Sequence, residues 1–166
     1  MKKTGIICTA ACMALGLLSS TESTHGTIDL TSKGIPVTMN APDGAAIAEG
    51  IGHGMEMDGV KLYVWEINQG DFSLEVSMED DDLYQEEEAY VRFAKEFAET
   101  ADFEEYVLDE TNGFIYKYSL DGDVYYACYY LLIKNGRAIE FATGMDSDDS
   151  NLTNVKAIYA AAKGAK

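Results

Sequence analysis

The chain has 166 residues, with 29 acidic and 12 basic side chains and a formal net charge of −17. Because proteins bind nucleic acids and anionic membranes through lysines and arginines that neutralise phosphate, this charge balance excludes nucleic acid as a partner and disfavours anionic membranes. The only arginines are Arg92 and Arg137, so the chain has few side chains that can form bidentate hydrogen bonds with phosphate or carboxylate groups.

The first 20 residues have the pattern of a secretory signal peptide. Lys2 and Lys3 precede an apolar stretch at residues 5–18, which small polar residues follow. This stretch is shorter than the roughly 20 residues needed to span a bilayer. We predict that residues 1–20 are removed on export, which leaves no transmembrane span in a mature chain that is periplasmic, envelope-associated or extracellular. Its charge would be −19, because the basic residues fall from 12 to 10 while the 29 acidic residues remain.

A lipid anchor at Cys12 is an alternative fate of the same segment. Residues 9–12, Thr-Ala-Ala-Cys, are similar to the processing site of lipoproteins. They lack the usual leucine three residues before the cysteine, and the chain stays apolar at residues 13–18. Cleavage between Ser19 and Thr24 and lipidation at Cys12 therefore both remain open.

Cys128 is the single cysteine left after removal of the signal, so the mature chain cannot form an internal disulfide. It lies in a tyrosine-rich segment, where a small buried thiol is the expected role. A nucleophilic thiol would need a partner base, and His25 and His53 are the only histidines. The sequence predicts no catalytic residue and no cofactor.

A single domain is predicted over residues 34–166. Before it, residues 21–33 are rich in serine and threonine and are predicted to form a flexible leader. Apolar and polar residues alternate at 35–39, which is typical of a strand, and a turn follows. The glycine-rich residues 43–59 are predicted as a mobile loop with one helical turn.

Two further strands are predicted at residues 61–67 and 72–78, with a turn between them. In the second, apolar residues alternate with serine and glutamate, so one face is expected to contact water.

Residues 83–100 have the spacing of an amphipathic helix. Its apolar stripe contains Tyr90, Phe93, Ala94, Phe97, Ala98 and Ala101. Such a helix is about 27 Å long and can cross a sheet. A second stripe predicts a C-terminal helix, which is capped at its start by Asp149 or Ser150 and ended by Gly164.

Four strands with explicit turn signals are predicted between the two helices, at residues 104–109, 114–120, 124–134 and 137–143. The turns are Asn112-Gly113, Asp121-Gly122 and Asn135-Gly136. Such pairs readily adopt the left-handed conformations of tight hairpins, so three of them in a row predict an antiparallel meander.

The order of these elements resembles the PsbP-like family. The resemblance is carried by residues 34–42 as an opening strand that runs into a proline, by residues 72–76 as its paired strand, and by residues 124–133 and 137–143 as a closing hairpin. The resemblance implies an α+β fold with a single antiparallel sheet of about 6–7 strands, packed with a long central helix and a C-terminal helix. It also implies a non-catalytic accessory role and supplies no catalytic residues.

Four tyrosines are the candidates for partner binding. Tyr116 and Tyr118 share one face of their predicted strand, and Tyr125 and Tyr129 share one face of the next. Tyrosine combines a large apolar ring with a polar tip, which suits both a recognition surface and a half-buried core. We predict a surface for a protein or small ligand at these four residues, with core packing beneath the helices as the alternative.

The many acidic residues suggest two other functions. Asp80, Asp82 and Glu86 are candidate calcium ligands, although they lack the alternating spacing and central glycine of a calcium loop. A pair of carboxylates could also act as the acid and base of a hydrolase, but spacing singles out no pair. The prediction is a non-catalytic binding protein. The alternatives are a carboxylate-based hydrolase acting on an envelope or extracellular substrate and a calcium-binding module.

Overall fold

The computed structural model describes residues 25–82, 86–100, 102–144 and 151–166. Strands make up 52% of these residues and form one sheet of eight strands and one of two, accompanied by two short helices. The fold is therefore mostly β. The predicted α+β sandwich, with a single sheet and a long central helix, is wrong, because the chain forms more strand and less helix than that architecture requires.

The strands are β1 (His25–Asp29), β2 (Thr38–Pro42), β3 (Ala46–Glu49), β4 (Glu56–Met57), β5 (Val60–Gln69), β6 (Phe72–Glu79), β7 (Phe103–Glu110), β8 (Gly113–Leu120), β9 (Asp123–Lys134) and β10 (Arg137–Thr143). The helices are α1 (Glu87–Ala98) and α2 (Leu152–Lys163).

The predicted antiparallel meander is confirmed. The large sheet has the order β3-β5-β6-β10-β9-β8-β7, with β4 paired to β5, so the last four strands are sequential neighbours. Two of the predicted turns have the backbone that the sequence indicates, since Asp121, Gly122, Asn135 and Gly136 all have positive φ angles. These turns fix the register of β8 against β9 and of β9 against β10.

The third predicted turn lies one residue earlier than the Asn112-Gly113 pair. Gly113 is the first residue of β8 and pairs with Tyr130. A Cβ atom at this position would lie 2.5 Å from the carbonyl oxygen of Tyr129. Gly113 is therefore required for a close approach of two strands and not for the turn.

One face of the large sheet, called here the α2 face, carries the main core. Helix α2 and the β1–β2 hairpin cover it. Its inward side chains are fully buried, as in Leu74, Val76, Ile139 and Phe141. The C-terminal helix occurs where it is predicted, but its N-cap is Asn151, whose Oδ1 accepts a hydrogen bond from the Asn154 amide (3.1 Å). The predicted caps Asp149 and Ser150 lie outside the described residues.

Two segments that were predicted to lack strands contain them. In the predicted leader, β1 pairs with β2, and the Leu30 side chain that follows is fully buried. In the predicted glycine-rich loop, β3 pairs with β5 at the edge of the large sheet. These short strands are stabilised by pairing and burial against distant segments, which their own composition does not indicate.

Helix α1 is shorter than the predicted helix. It has 12 residues and is therefore about 18 Å long, not 27 Å. Only Tyr90, Val91 and Ala98 are buried, while Phe93 and Phe97 of the predicted stripe are 69% and 73% exposed. The helix therefore covers only part of the second face of the large sheet, called here the α1 face.

Candidate functional site

A groove lies on the α1 face because α1 leaves much of that face open. Its volume is about 730 Å³, within the range of roughly 300–1,000 Å³ that is typical of small-molecule sites. Residues of α1, β6, β8, β9 and β10 line it. The groove therefore combines one helix with the neighbouring strands of the meander and with β6, a strand from earlier in the chain.

All four tyrosines predicted to bind a partner line this groove. The register pairs Tyr118 with Tyr125 and Phe114 with Tyr129, so these four side chains lie on the same face of the sheet, the α1 face. The rings of Tyr118 and Tyr125 stack with centroids 5.6 Å apart, and those of Tyr116 and Tyr118 are 5.7 Å apart. The structure thus brings the two predicted tyrosine pairs together as one aromatic wall.

The tyrosines differ in burial. Tyr129 is 8% exposed and stacks on Phe114 at 5.6 Å, in a small core beneath α1. Burial, and then the neighbouring Tyr118, raises the pKa of Tyr116, so its hydroxyl remains neutral. Tyr129 therefore takes part in the core as well as in the groove, while the other three side chains are only partly buried.

Phe93 and Phe97 line the groove from the helix side. They lie one turn apart on α1 and are 69% and 73% exposed. Leu120, at the tip of the β8–β9 hairpin, is also exposed and lines the groove. These side chains present apolar surface to any molecule that enters.

Two carboxylates also line the groove, Glu75 on β6 and Glu140 on β10. The register pairs Glu140 with Ser77, so Glu75 is its diagonal neighbour on the next strand, at a typical Cα separation of about 7–8 Å. The Tyr129 hydroxyl donates a hydrogen bond of 2.8 Å to Oε2 of Glu140. The groove therefore has an acidic region within aromatic walls.

The surroundings of both carboxyl groups raise their pKa values. Burial, followed by the nearby Glu66 and Glu140, raises the pKa of Glu75. Burial also raises the pKa of Glu140, with Glu79 adding to it and the Tyr129 hydrogen bond opposing it. Glu66 lies directly opposite Glu75 on β5, so like charges gather on this face.

No lysine or arginine lines the groove among the described residues. Lys95 lies 5.8 Å from the ring centroid of Phe114, which lines the groove, but it pairs with Asp109 at 2.5 Å. Both arginines also have partners elsewhere, Arg92 with Glu96 and Arg137 with Asp80. The two groove carboxylates therefore have no cationic partner within the described part of the chain.

Cys128 is not set up as a nucleophile. Its side chain is 3% exposed and belongs to the main core. Burial raises the pKa of its thiol to about 11, and Thr143 donates a hydrogen bond to the sulfur at 3.4 Å. A reactive thiol needs an accessible setting that lowers its pKa, which is the opposite of this arrangement.

The candidate calcium ligands are not assembled into a ligand set. Asp80 is paired with Arg137 at 2.7 Å, and Glu86 is the N-cap residue of α1. Asp82 is exposed. Within residues 25–82, 86–100, 102–144 and 151–166, no group of three or more histidine, cysteine or acidic side chains is arranged to hold a metal ion.

A second cavity of about 450 Å³ lies between α2 and the β1–β2 hairpin. Its lining includes small side chains of α2, such as Ala157 and Ala161, and the amides Asn40 and Gln69. It contains one acidic side chain, Asp71, and one imidazole, His25. The groove on the α1 face has the larger volume and the convergence of aromatic and charged groups, so we take it as the candidate site.

Residues 1–24, which include Cys12 and the predicted signal peptide, lie outside the described residues. None of the helices in the described part of the chain is long and apolar enough to cross a membrane.

The sequence patterns predict the tyrosines of the groove, but they do not predict that Glu75, Glu140 and the Phe93–Phe97 pair line it. The alternation in β6 indicates that Glu75 lies on the wet face, and Glu140 is the one carboxylate within an otherwise apolar strand segment. Neither pattern predicts that β6 and β10 are neighbours in the sheet, which is what brings the two carboxylates together.

Comparison with known proteins identifies no relative: no protein-family model, no curated protein and no solved structure matches this chain.

Proposed function

We propose that the protein is an exported, non-catalytic binding protein that holds a small ligand with a large apolar part in the groove on the α1 face. The predicted signal at residues 1–20 would place this binding outside the cytoplasm. The groove has a suitable volume, and its walls present aromatic rings on both sides. Aromatic side chains offer a large contact area and lose few rotamers on binding.

The observation that carries the proposal is the exposure of Phe93 and Phe97 at the groove. Burying a phenylalanine side chain contributes about 1.5–3 kcal/mol, so two exposed rings on one short helix are a source of binding free energy that the fold does not use. A ligand between these rings and Tyr118 or Tyr125 would bury both surfaces. Exposed apolar patches of this kind are typical of binding sites.

A direct test uses N-phenyl-1-naphthylamine, a neutral probe that becomes fluorescent in an apolar environment. We expect saturable fluorescence with the purified mature domain, and about tenfold weaker binding to the Phe97→Ala variant, because one ring contact is lost. Ile51→Ala is the matched control, since Ile51 is also 73% exposed but does not line the groove. Absence of saturable binding, or an equal loss in both variants, would contradict the proposal.

The second candidate, a carboxylate-based hydrolase, is favoured by one observation: Glu75 and Glu140 line the same groove with raised pKa values. A general acid needs a raised pKa, but its partner must be ionised, and here the pKa values of both carboxyls shift in the same direction. The test is release of reducing ends from isolated cell-wall polysaccharide. Turnover that Glu140→Gln abolishes would establish the enzyme and overturn the binding role.

A further inference from the structure

The acidic region of the groove contains glutamates but no lysine or arginine among the described residues. Glu75 and Glu140 are partly buried, they lie on adjacent strands, and Glu66 and Glu79 add negative charge on the same face. Buried carboxylates are normally paired with a cation, since an isolated buried charge is unfavourable. Here the lysines and arginines of the described residues either form ion pairs elsewhere or do not line the groove.

The rest of the lining also favours positive charge over negative. The face of a tyrosine ring carries negative electrostatic potential and attracts a cation within about 6 Å. Tyr116, Tyr118 and Tyr125 form a continuous row of such rings. An anionic ligand would meet repulsion from both the carboxylates and the rings.

A bare metal ion fits these features poorly. Metal ions need several converging oxygen, nitrogen or sulfur ligands. Within the described ranges, no three acidic, histidine or cysteine side chains are placed so that they could hold a metal ion together, and most of the groove lining is apolar. A cation that carries its own apolar body would satisfy both parts of the groove at once.

We propose that the ligand class of this groove is a protonated amine on an aromatic or otherwise apolar body. The ammonium group is held by Glu75 and Glu140, and the apolar body lies between Phe93, Phe97 and the tyrosine wall. This inference rests on the proposed binding function of the groove and adds the charge and chemical class of its ligand.

The arrangement assigns separate tasks to the two parts of the groove. The apolar walls would supply affinity for any molecule of suitable size, whereas the carboxylates would discriminate between a cation and its neutral analogue. A hydrogen bond to a charged group is stronger than a neutral one, and removing its partner leaves a charge unpaired. The carboxylates therefore control selectivity more than total affinity.

The test uses three probes with the same indole body: tryptamine, which is protonated, tryptophol, which is neutral, and indole-3-propionate, which is anionic. Each is titrated as a competitor of bound N-phenyl-1-naphthylamine at pH 7.5 and physiological ionic strength. We expect tryptamine to bind at least about tenfold more tightly than tryptophol, and indole-3-propionate to bind most weakly.

The same ratio of tryptamine to tryptophol affinity is then measured in Glu75→Gln, Glu140→Gln and Glu49→Gln. We expect the ratio to fall towards one in the first two variants and to persist in Glu49→Gln, which removes an exposed carboxylate on strand β3 outside the groove. Because each variant is scored by a ratio of affinities, a general change in groove packing cancels. Circular dichroism establishes that each variant is folded.

The outcomes are distinct. A ratio near one in the wild type, with the naphthylamine probe bound and displaced, overturns the amine inference and leaves the binding function intact. A high ratio that persists in Glu75→Gln and Glu140→Gln also overturns it, because diffuse attraction by the excess of acidic residues in the chain would then be the cause. Absence of saturable binding by the naphthylamine probe overturns both.

Discussion

Gly113 shows how a single missing Cβ sets the distance between two strands. The residue lies at the start of β8, where a side chain would meet the Tyr129 carbonyl oxygen and the Tyr130 backbone. Close packing here lets Phe114 stack on Tyr129 beneath α1. The glycine therefore helps to position the Phe114 and Tyr129 rings that line the groove.

Gly113→Ala is expected to destabilise the protein by about 1–3 kcal/mol, because the added methyl group overpacks a region bounded by backbone atoms. Urea denaturation monitored by circular dichroism measures the change in the free energy of unfolding. Gly26→Ala is the control, since its new Cβ would be nearest to a side-chain oxygen of Asp43 at 3.2 Å. Equal effects of the two substitutions would show that the strand approach at Gly113 is looser than described.

Helix α1 is the least securely packed regular element of the groove. An isolated helix of about 12 residues is marginal in water, so it depends on contacts with the sheet. These contacts come from Tyr90, Val91 and Ala98, while negative charge at Glu87 and Glu88 favours the positive end of the helix dipole. The two exposed phenylalanines therefore sit on an element that the core holds along one edge only.

Phe97→Ala is expected to lower the free energy of unfolding by less than about 0.5 kcal/mol, because its ring is mostly in water. The same substitution at the fully buried Phe141 should cost about 3–5 kcal/mol, which includes the cavity that it leaves. Both values come from urea denaturation in the absence of ligand. A loss above about 2 kcal/mol for Phe97→Ala would assign that ring to the core and remove the main support for the binding proposal.

The two faces of the large sheet differ in charge, because one holds the apolar core and the other holds several glutamates. The α2 face is covered by a helix and a hairpin and holds the main core. The α1 face is only partly covered by α1 and holds Glu66, Glu75, Glu79 and Glu140 on three neighbouring strands. Negative charge is thus concentrated on the face that has less covering. Repulsion between these groups lowers the free energy of unfolding when they ionise.

This arrangement predicts a pH dependence of stability. Burial, followed by the nearby Glu66 and Glu140, raises the pKa of Glu75 above its ordinary value of 4.5, so the folded state retains a proton that the unfolded chain releases. The stability contributed by protonated Glu75 is fully present below the unfolded pKa and is lost as pH rises through the folded pKa. Wild type should therefore lose stability relative to Glu75→Gln as pH increases from 4.5 through the raised pKa of the folded state.

Chemical denaturation at several pH values measures this difference. Hydrogen bonds to lysines lower the pKa values of Glu104 and Glu110, so these two groups contribute stability that is lost as pH falls. Wild type and Glu75→Gln share this contribution, so it cancels when their free energies of unfolding are subtracted. Glu49→Gln controls for the loss of one negative charge. A difference between wild type and Glu75→Gln that stays constant with pH would contradict the clustering of charge on the α1 face.

Much of the architecture could be predicted from short-range patterns. Alternation identified β5, β6 and the strands of the meander, and Asp-Gly and Asn-Gly pairs identified two of its turns. The strands β1, β3 and β4 could not be predicted this way, because pairing with other strands stabilises them more than their own propensity does. The helical stripe was recognised, but its length and the exposure of Phe93 and Phe97 depend on how α1 rests on the sheet.

The sequence by itself determined which side chains share a strand face, including Tyr116 with Tyr118 and Tyr125 with Tyr129, because period-two alternation and left-handed turn residues act over a few neighbouring positions. Only the tertiary structure decided which faces meet and which remain open. It placed β6 beside β10, so that Glu75 and Glu140 line one groove, and it laid a short helix over part of that face. The reason is that strand order and helix docking depend on the packing of segments far apart in the chain, which no local pattern records.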